Sequence, residues 1–475
     1  MKRRGGKTFP AVFVSADIDS RTINRMASAA DKMASSISLS KFAQATDLKK
    51  RLWFTIGALI VFRLLSYVPL PGIDPTALAA LASRTNGGVL DFFNAFSGGS
   101  LKRASLIALG VTPYITASIV VQLATSLSPT LAAIKKEGES GRKRLNQYTR
   151  FGTVALTVIQ GYFLSLGFQS QGVVVDPGML FIIGSVISLV GGTMFLMWIG
   201  EQITSRGIGN GMSLIIMAGI VANLPTTLFN LAQTARTGGG NVTGFTLVAI
   251  IVAVAGLILF ICFMERAQRR ILIQYPKRQT QRGMQSDRSH LPLKINTAGV
   301  IPPIFASSLL LMPLTITQFA GKNVSGDTWW GSVVITLNQY LQHGSVAYML
   351  LYGAGIIFFS FFYTAVVFNP EETADNLKRH GGFIPGIRPG KNTETYFDYV
   401  LTRITVIGAG YLAIICLLPE YLVSALSIPF YLGGTSLLIV VNVTMDTVTQ
   451  IQSHLLAHQY GDLIKKAKLK GGRLR

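Results

Sequence analysis

Apolar and polar positions alternate along this chain in long blocks. Ten stretches of about twenty mostly apolar residues, at approximately 52–70, 104–127, 151–168, 179–199, 212–228, 244–264, 298–319, 348–368, 404–418 and 430–444, are separated by polar loops. A bilayer core about 30 Å thick takes roughly 20 helical residues. The pattern therefore predicts ten transmembrane helices and an all-α polytopic membrane protein.

Composition agrees. Hydrophobic residues make up 49% and charged residues 13%, with mean hydropathy +0.45, which is too apolar for a soluble domain of this length. Charge then sets the orientation. Of the 43 Lys and Arg residues, Arg84, Lys102, Arg103, Arg236 and Lys322 fall in the loops on one side, Arg63 falls inside the first span, and all the others lie on the side of the two termini. Positive loops stay inside, so both termini are expected in the cytoplasm together with most of the net charge of +22. The first 47 residues read as a polar cytosolic arm. Their only apolar run, FPAVFV at 9–14, is shorter than the core of a secretory signal. Cys262 and Cys416 both lie inside apolar segments, so no disulfide framework or cysteine zinc site is expected.

Three spans are interrupted. The second, LIALGVTPYITASIVVQLATSL, carries Thr112, Pro113, Thr116, Ser118 and Gln122; the seventh carries Pro302, Pro303 and Pro313; the tenth carries Gly433, Gly434 and Asn442. Helix packing through small residues accounts for an isolated Gly, Ser or Thr. Breakers and polar groups at membrane depth need cover from protein or water, and three such spans favour a cavity. Before the second span, GGVLDFFNAFSGG (87–99) holds an apolar core, 90–96, too short to cross the bilayer. It is either an inert re-entrant loop or a stopper that presents Phe92, Phe93 and Phe96 to a pore mouth.

Four segments carry a resemblance. VTPYITASIVVQL (111–123), MWIGEQITSRGIGNGMSLII (197–216), HLPLKINTAGVIPPIFASS (290–308) and GFIPGIRPG (382–390) are similar, in order and spacing, to the signature segments of the SecY family, the channel subunits of the bacterial Sec translocon. The match runs from about residue 26 to the C-terminus. MASAA at 26–30 is similar to the usual family start, so the upstream stretch is expected to reflect an early start codon assigned in error.

The resemblance implies a clamshell of two inverted five-helix halves, 48–235 and 236–450, around a central pore, with a basic tail at 451–475. It implies a pore ring of Val111, Ile115, Ile216, Ile304 and Ile439, with Val111 a slight departure from isoleucine that widens the ring. A narrow branched-aliphatic constriction dewets and so blocks ions. It makes the 88–99 segment a plug, with Leu90, Phe92, Phe93 and Phe96 its apolar face. The second and seventh spans become the lips of a lateral gate lined by Thr116, Gln160 and Asn296. Uncharged hydrogen bonds in membranes are worth roughly 0.6 to 2 kcal/mol each, weak enough for a signal sequence to compete. The implied activity is passage of unfolded secretory polypeptides across the bacterial inner membrane and sideways release of transmembrane segments into lipid.

Two long cytosolic loops, 265–296 and 369–402, are basic beyond what orientation requires. Arg269, Arg270, Lys277, Arg278 and Arg388 are the candidates for binding ribosomal RNA phosphates or acidic patches on a motor. The resemblance implies the ribosome and the SecA ATPase as partners, with SecE and SecG as accompanying subunits. Arg388 stands out because GFIPGIRPG is a stiff turn, whereas QRGMQSDRSH (281–290) is shorter than the family pattern at that loop tip.

No enzyme chemistry or cofactor is expected. GGKT (5–8) lacks the strand and first glycine of a phosphate loop; GIGNG (207–211) is a helix turn; His454 and His458 lack a third ligand or an intervening glutamate. A secondary transporter also uses broken helices and inverted repeats. It usually keeps carboxylates or paired charges inside the membrane, and here Arg63, expected to snorkel or meet a lipid phosphate, is the sole charge drawn inside a span.

Overall fold

A computed structural model describes residues 46–78, 97–237, 244–275, 278–280, 283–285, 288–320, 345–426 and 433–471. Helices dominate: α1 (Thr46–Leu65), α2 (Thr112–Leu127), α3 (Pro129–Lys136), α4 (Glu139–Ser170), α5 (Met179–Arg206), α6 (Gly211–Thr237) and α7 (Gly244–Arg266). After strands β1 (Gln268–Gln274), β2 (Arg278–Thr280), β3 (Gly283–Gln285) and β4 (Arg288–Lys294) come α8 (Ile301–Ala320), α9 (Val346–Val367), α10 (Pro370–Arg379), α11 (Lys391–Leu426) and α12 (Gly434–Gly471). Two compact units emerge. The first comprises residues 1–52 and 451–475, of which the start of α1 and the end of α12 are described; the second comprises residues 53–450 and holds everything else.

Each expected span falls on a helix, but the second starts later than its apolar run suggests. Residues 104–111 are turns, not helix, and α2 begins at Thr112. Two causes are visible. Pro113 sits in the first turn of α2, where its missing N–H costs nothing and its fixed φ starts a helix well. Upstream, the backbone pairs elsewhere: the Leu70 N–H donates to Ala104 O at 2.9 Å and the Leu106 N–H to Val68 O at 2.8 Å. Gly110, at φ +57°, turns the chain into α2. The first span also ends early, at Leu65, because 68–74 pairs with 104–106 and with 173–175.

Burial follows the lipid-solvent pattern. Among the described residues, six helices are long and apolar enough to cross a membrane, or seven if α2 and α3, bent by 101°, count as one broken span. Only 6% of the α7 span is buried by protein, against 56% of the α11 span. α7 thus lies at the periphery, with Phe245, Leu259 and Phe263 exposed, and α11 lies in the interior.

Among the described residues, three apolar clusters organise the second unit. The largest joins α8, α9 and α11, where Phe305 meets Phe359 edge-to-face at 5.9 Å, and reaches Ile119, Leu164 and Leu189 of α2, α4 and α5. A second gathers α1, α2, α5, α6, α8 and α12. The third lies under the polar loops and holds Ile271, Leu293, Ile384 and Phe397.

Candidate functional site

The second cluster is the focus. Val111, immediately before α2, Ile216 of α6 and Ile439 of α12 are buried in it, and half-buried Ile115 of α2 and Ile304 of α8 pack against it. Positions spread from 111 to 439 in sequence are therefore neighbours in space. Val111 and Ile115 share one edge because they are one helical turn apart, the Ile115 N–H donating to Val111 O at 3.1 Å. Ile115 also packs against the largest cluster. All five side chains are branched aliphatics with no polar atom to hold water.

Tight glycine turns bring these helices close. The GIGNG turn, 207–211, joins α5 to α6: its Ile208 N–H donates to Thr55 Oγ1 of α1 at 3.1 Å and its Gly209 N–H to Gln450 Oε1 of α12 at 2.8 Å. A side chain at Gly211 would overlap the Gly200 carbonyl. Four helices that contribute to the cluster are thereby tied together at this turn.

The candidate gate residues separate into two groups. α8 lies against both α2 and α4. Thr116 of α2 and Gln160 of α4 are buried; Thr116 Oγ1 donates to Thr112 O of its own helix at 3.1 Å. Gln160 continues a buried stripe on α4 in which Thr149, Thr153 and Thr157 donate to Leu145 O, Thr149 O and Thr153 O at 3.1, 2.7 and 2.7 Å. Asn296 is held differently. Its Nδ2 donates to Glu265 Oε1 at 2.6 Å and to Gly299 O at 3.1 Å, while its Oδ1 accepts from the Gly299 N–H at 3.1 Å. Its bonds run to α7 and to its own turn, not to Thr116 or Gln160. Glu265, buried in the last turn of α7, is a partner that sequence reasoning passed over. Extending the β1–β4 register, in which Gln268 faces Lys294, sets Asn296 opposite Arg266, so Glu265 lies one residue from level with its partner.

The plug candidates Leu90, Phe92, Phe93 and Phe96 lie outside the described residues. The segment that follows them is well defined. Ser97, Gly98, Gly99 and Ser100 are buried turn residues. Arg63 donates from Nη1 to Gly98 O at 2.7 Å, and Arg103 from Nη2 to the same carbonyl at 3.3 Å. Both guanidiniums lie over the Tyr67 ring, at 5.1 and 4.3 Å. Arg63 thus meets protein here, where snorkelling or a lipid phosphate was expected.

The two basic loops form one module. β1 and β4 pair antiparallel, and Gln274 and Phe383 exchange two backbone hydrogen bonds of 2.9 Å. Ile271, Leu293, Ile384 and Phe397 close a shared core. α10 docks on α11, its start capped by Asn369, whose side chain accepts from the N–H groups of Glu371 and Glu372 at 3.1 and 3.4 Å. Arg269, Arg270 and Arg388 are exposed on this module. Arg388 sits between Gly386, φ +84°, and Gly390, φ +107°, and its carbonyl accepts from Thr393 Oγ1 at 3.0 Å. Arg278 is on β2, and Lys277 lies outside the described residues.

Comparison with known proteins converges on one family. A family model described as SecY matches residues 105–448. The protein translocase subunit SecY of Escherichia coli K12 is 53% identical over 430 residues, covering 90% of this chain and 96% of the relative. That of Vibrio cholerae is 52% identical over 432 residues, with the same coverage of both chains. Among solved structures, a protein-conducting channel matches with TM-score 0.60 at 16% identity, over 86% of this chain and 92% of that one. Sec61 from a canine ribosome-channel complex of the endoplasmic reticulum matches with TM-score 0.58 at 14% identity, over the same shares. The long family match and the identity sustained along nine-tenths of the sequence establish that this chain belongs to the SecY family.

Proposed function

We propose that this protein is the channel of a protein translocase. Unfolded polypeptides pass through the constriction formed by Val111, Ile115, Ile216, Ile304 and Ile439, and transmembrane segments leave sideways between α2 and α8 into lipid. The observation that carries this reading is the meeting of these five aliphatic side chains, from four separate sequence segments, in one cluster. Such a waist has no group to hold an ion or a water file, so it resists leak when unoccupied. Branched aliphatics can part around a chain of any sequence, since their contacts are non-directional.

The chain sits in the bacterial inner membrane with both termini and the β1–β4 module in the cytoplasm, as the distribution of Lys and Arg requires. On that module Arg269, Arg270 and Arg388 form a positive surface suited to phosphates of ribosomal RNA or acidic patches of the SecA motor. The similarity to a channel solved on a ribosome supports the first of these. SecE and SecG would cover apolar surface such as that of α7.

The test is site-specific crosslinking. A photoreactive residue at 115, in channel reconstituted with its partner subunits, is expected to capture a stalled secretory chain. Capture from the lipid-facing position 259 instead, with none from 115, would rule the conduit out.

A further inference from the structure

The pairing of Glu265 with Asn296 has a consequence for α8. The turn 296–299 that leads into α8 is wedged between three elements. Glu265 of α7 accepts from Asn296 Nδ2 at 2.6 Å. A side chain at Gly408 of α11 would come within 2.8 Å of Ile295 O, so backbone meets backbone there. Gly299, at φ +65°, faces Asn442 of α12. Within the turn, Asn296 binds both the N–H and the C=O of Gly299. Pro302 and Pro303 bring no N–H to the first turn of α8, so that turn has fewer backbone donors than an ordinary helix start with which to bond its surroundings. The packing against Gly408 and Asn442 is shape alone; the bond to Glu265 is directional, charge-assisted and buried at both ends.

We propose that Glu265 is the positioning residue of α8: its carboxylate holds Asn296, and through it the start of α8, against the end of α7, and so sets how strong a signal sequence must be to part α8 from α2. The proposal rests on the channel reading above. It assigns to an acidic side chain in the last turn of a peripheral helix a role in selectivity that acts through Asn296.

The experiment uses the full channel with its partner subunits and two export reporters, one with an intact signal sequence and one with a signal weakened by polar substitution. A hydrogen bond to a buried charge is worth enough that E265A should raise export of the weakened reporter about tenfold, with export of the intact reporter unchanged. E265Q keeps an acceptor for Asn296 and should stay within about threefold of wild type. N296D puts two carboxylates face to face and should also relax selection about tenfold; the double variant E265Q/N296D rebuilds the bond with donor and acceptor exchanged and should return toward wild type. This rescue does not depend on E265A accumulating in the membrane. Unchanged selectivity in E265A, tighter selectivity, or a double variant no better than N296D would overturn the proposal. Failure of the wild-type channel to export the intact reporter would overturn the channel reading itself, and this proposal with it.

Discussion

Arg63 Nη1 stands 2.7 Å from the carbonyl oxygen of Gly98, a bond that joins the C-terminal end of α1 to the buried turn after the plug candidates. The same guanidinium lies over Tyr67, and Arg103 approaches the same carbonyl from its own side. Two cations gathered on one acceptor and one ring are stable only while both keep those partners.

Arg63→Ala should therefore loosen residues 97–110. A charge-assisted hydrogen bond is worth about 1.5–3 kcal/mol, so amide exchange in that segment should quicken by at least about tenfold. Arg63→Lys should restore little, because a single ammonium cannot supply the planar fork that both bonds Gly98 and stacks on Tyr67. Exchange mass spectrometry of the purified channel reads both variants.

Replacing Ile115 and Ile304 together by glycine removes both half-buried members of the proposed waist. Resting ion conductance of reconstituted vesicles should rise by at least about tenfold, since a widened constriction no longer dewets. Unchanged conductance would remove both residues from the seal.

Arg388→Glu reverses charge at an exposed turn fixed by two glycines of positive φ; the neighbouring Ile387 packs on the shared core while Arg388 itself is exposed. The variant should assemble and fold normally yet lose most motor-driven export in vesicles, with binding to the motor falling more steeply at low salt, where charge is least screened. Normal export would place the docking surface elsewhere on the module.

Gly192→Ala adds a Cβ where the Leu106 carbonyl already lies against α5. Backbone cannot withdraw as a flexible side chain could, so the variant should lose about 1–3 kcal/mol of stability, seen as a lowered melting temperature. Gly191→Ala, next to it and facing open space, should be neutral or slightly stabilising through helix propensity.

What the sequence made legible follows from the solvent. A bilayer imposes length and apolarity on every crossing, so the spans could be drawn without knowing what packs on what. The late start of α2 could not be drawn, because residues 104–111 are as apolar as a helix would be; their turns are dictated by 68–70 and by Gly192, both distant in sequence. That Val111, Ile115, Ile216, Ile304 and Ile439 meet in one cluster was foreshadowed by motif similarity, and the two loops were legible as basic. That Gln274 and Phe383 join those loops into one body was not, since a single two-residue bridge leaves no periodic trace. Glu265 escaped because it sits between Met264 and Arg266 at the end of an apolar run, where a charge ordinarily marks the water boundary. Only its pairing with Asn296 across the hairpin sets it apart.

α4 carries buried threonines at 149, 153 and 157, one turn apart on one face. Because Thr149, Thr153 and Thr157 each give their hydroxyl hydrogen to a carbonyl one turn back on the same helix, the face they form asks nothing of a neighbour. If a helix packed on that face withdraws, no threonine donor is stranded, and hydrocarbon can take its place at little electrostatic cost. A boundary between helices that is self-sufficient on one side can open and reclose many times without having to find its old partners again.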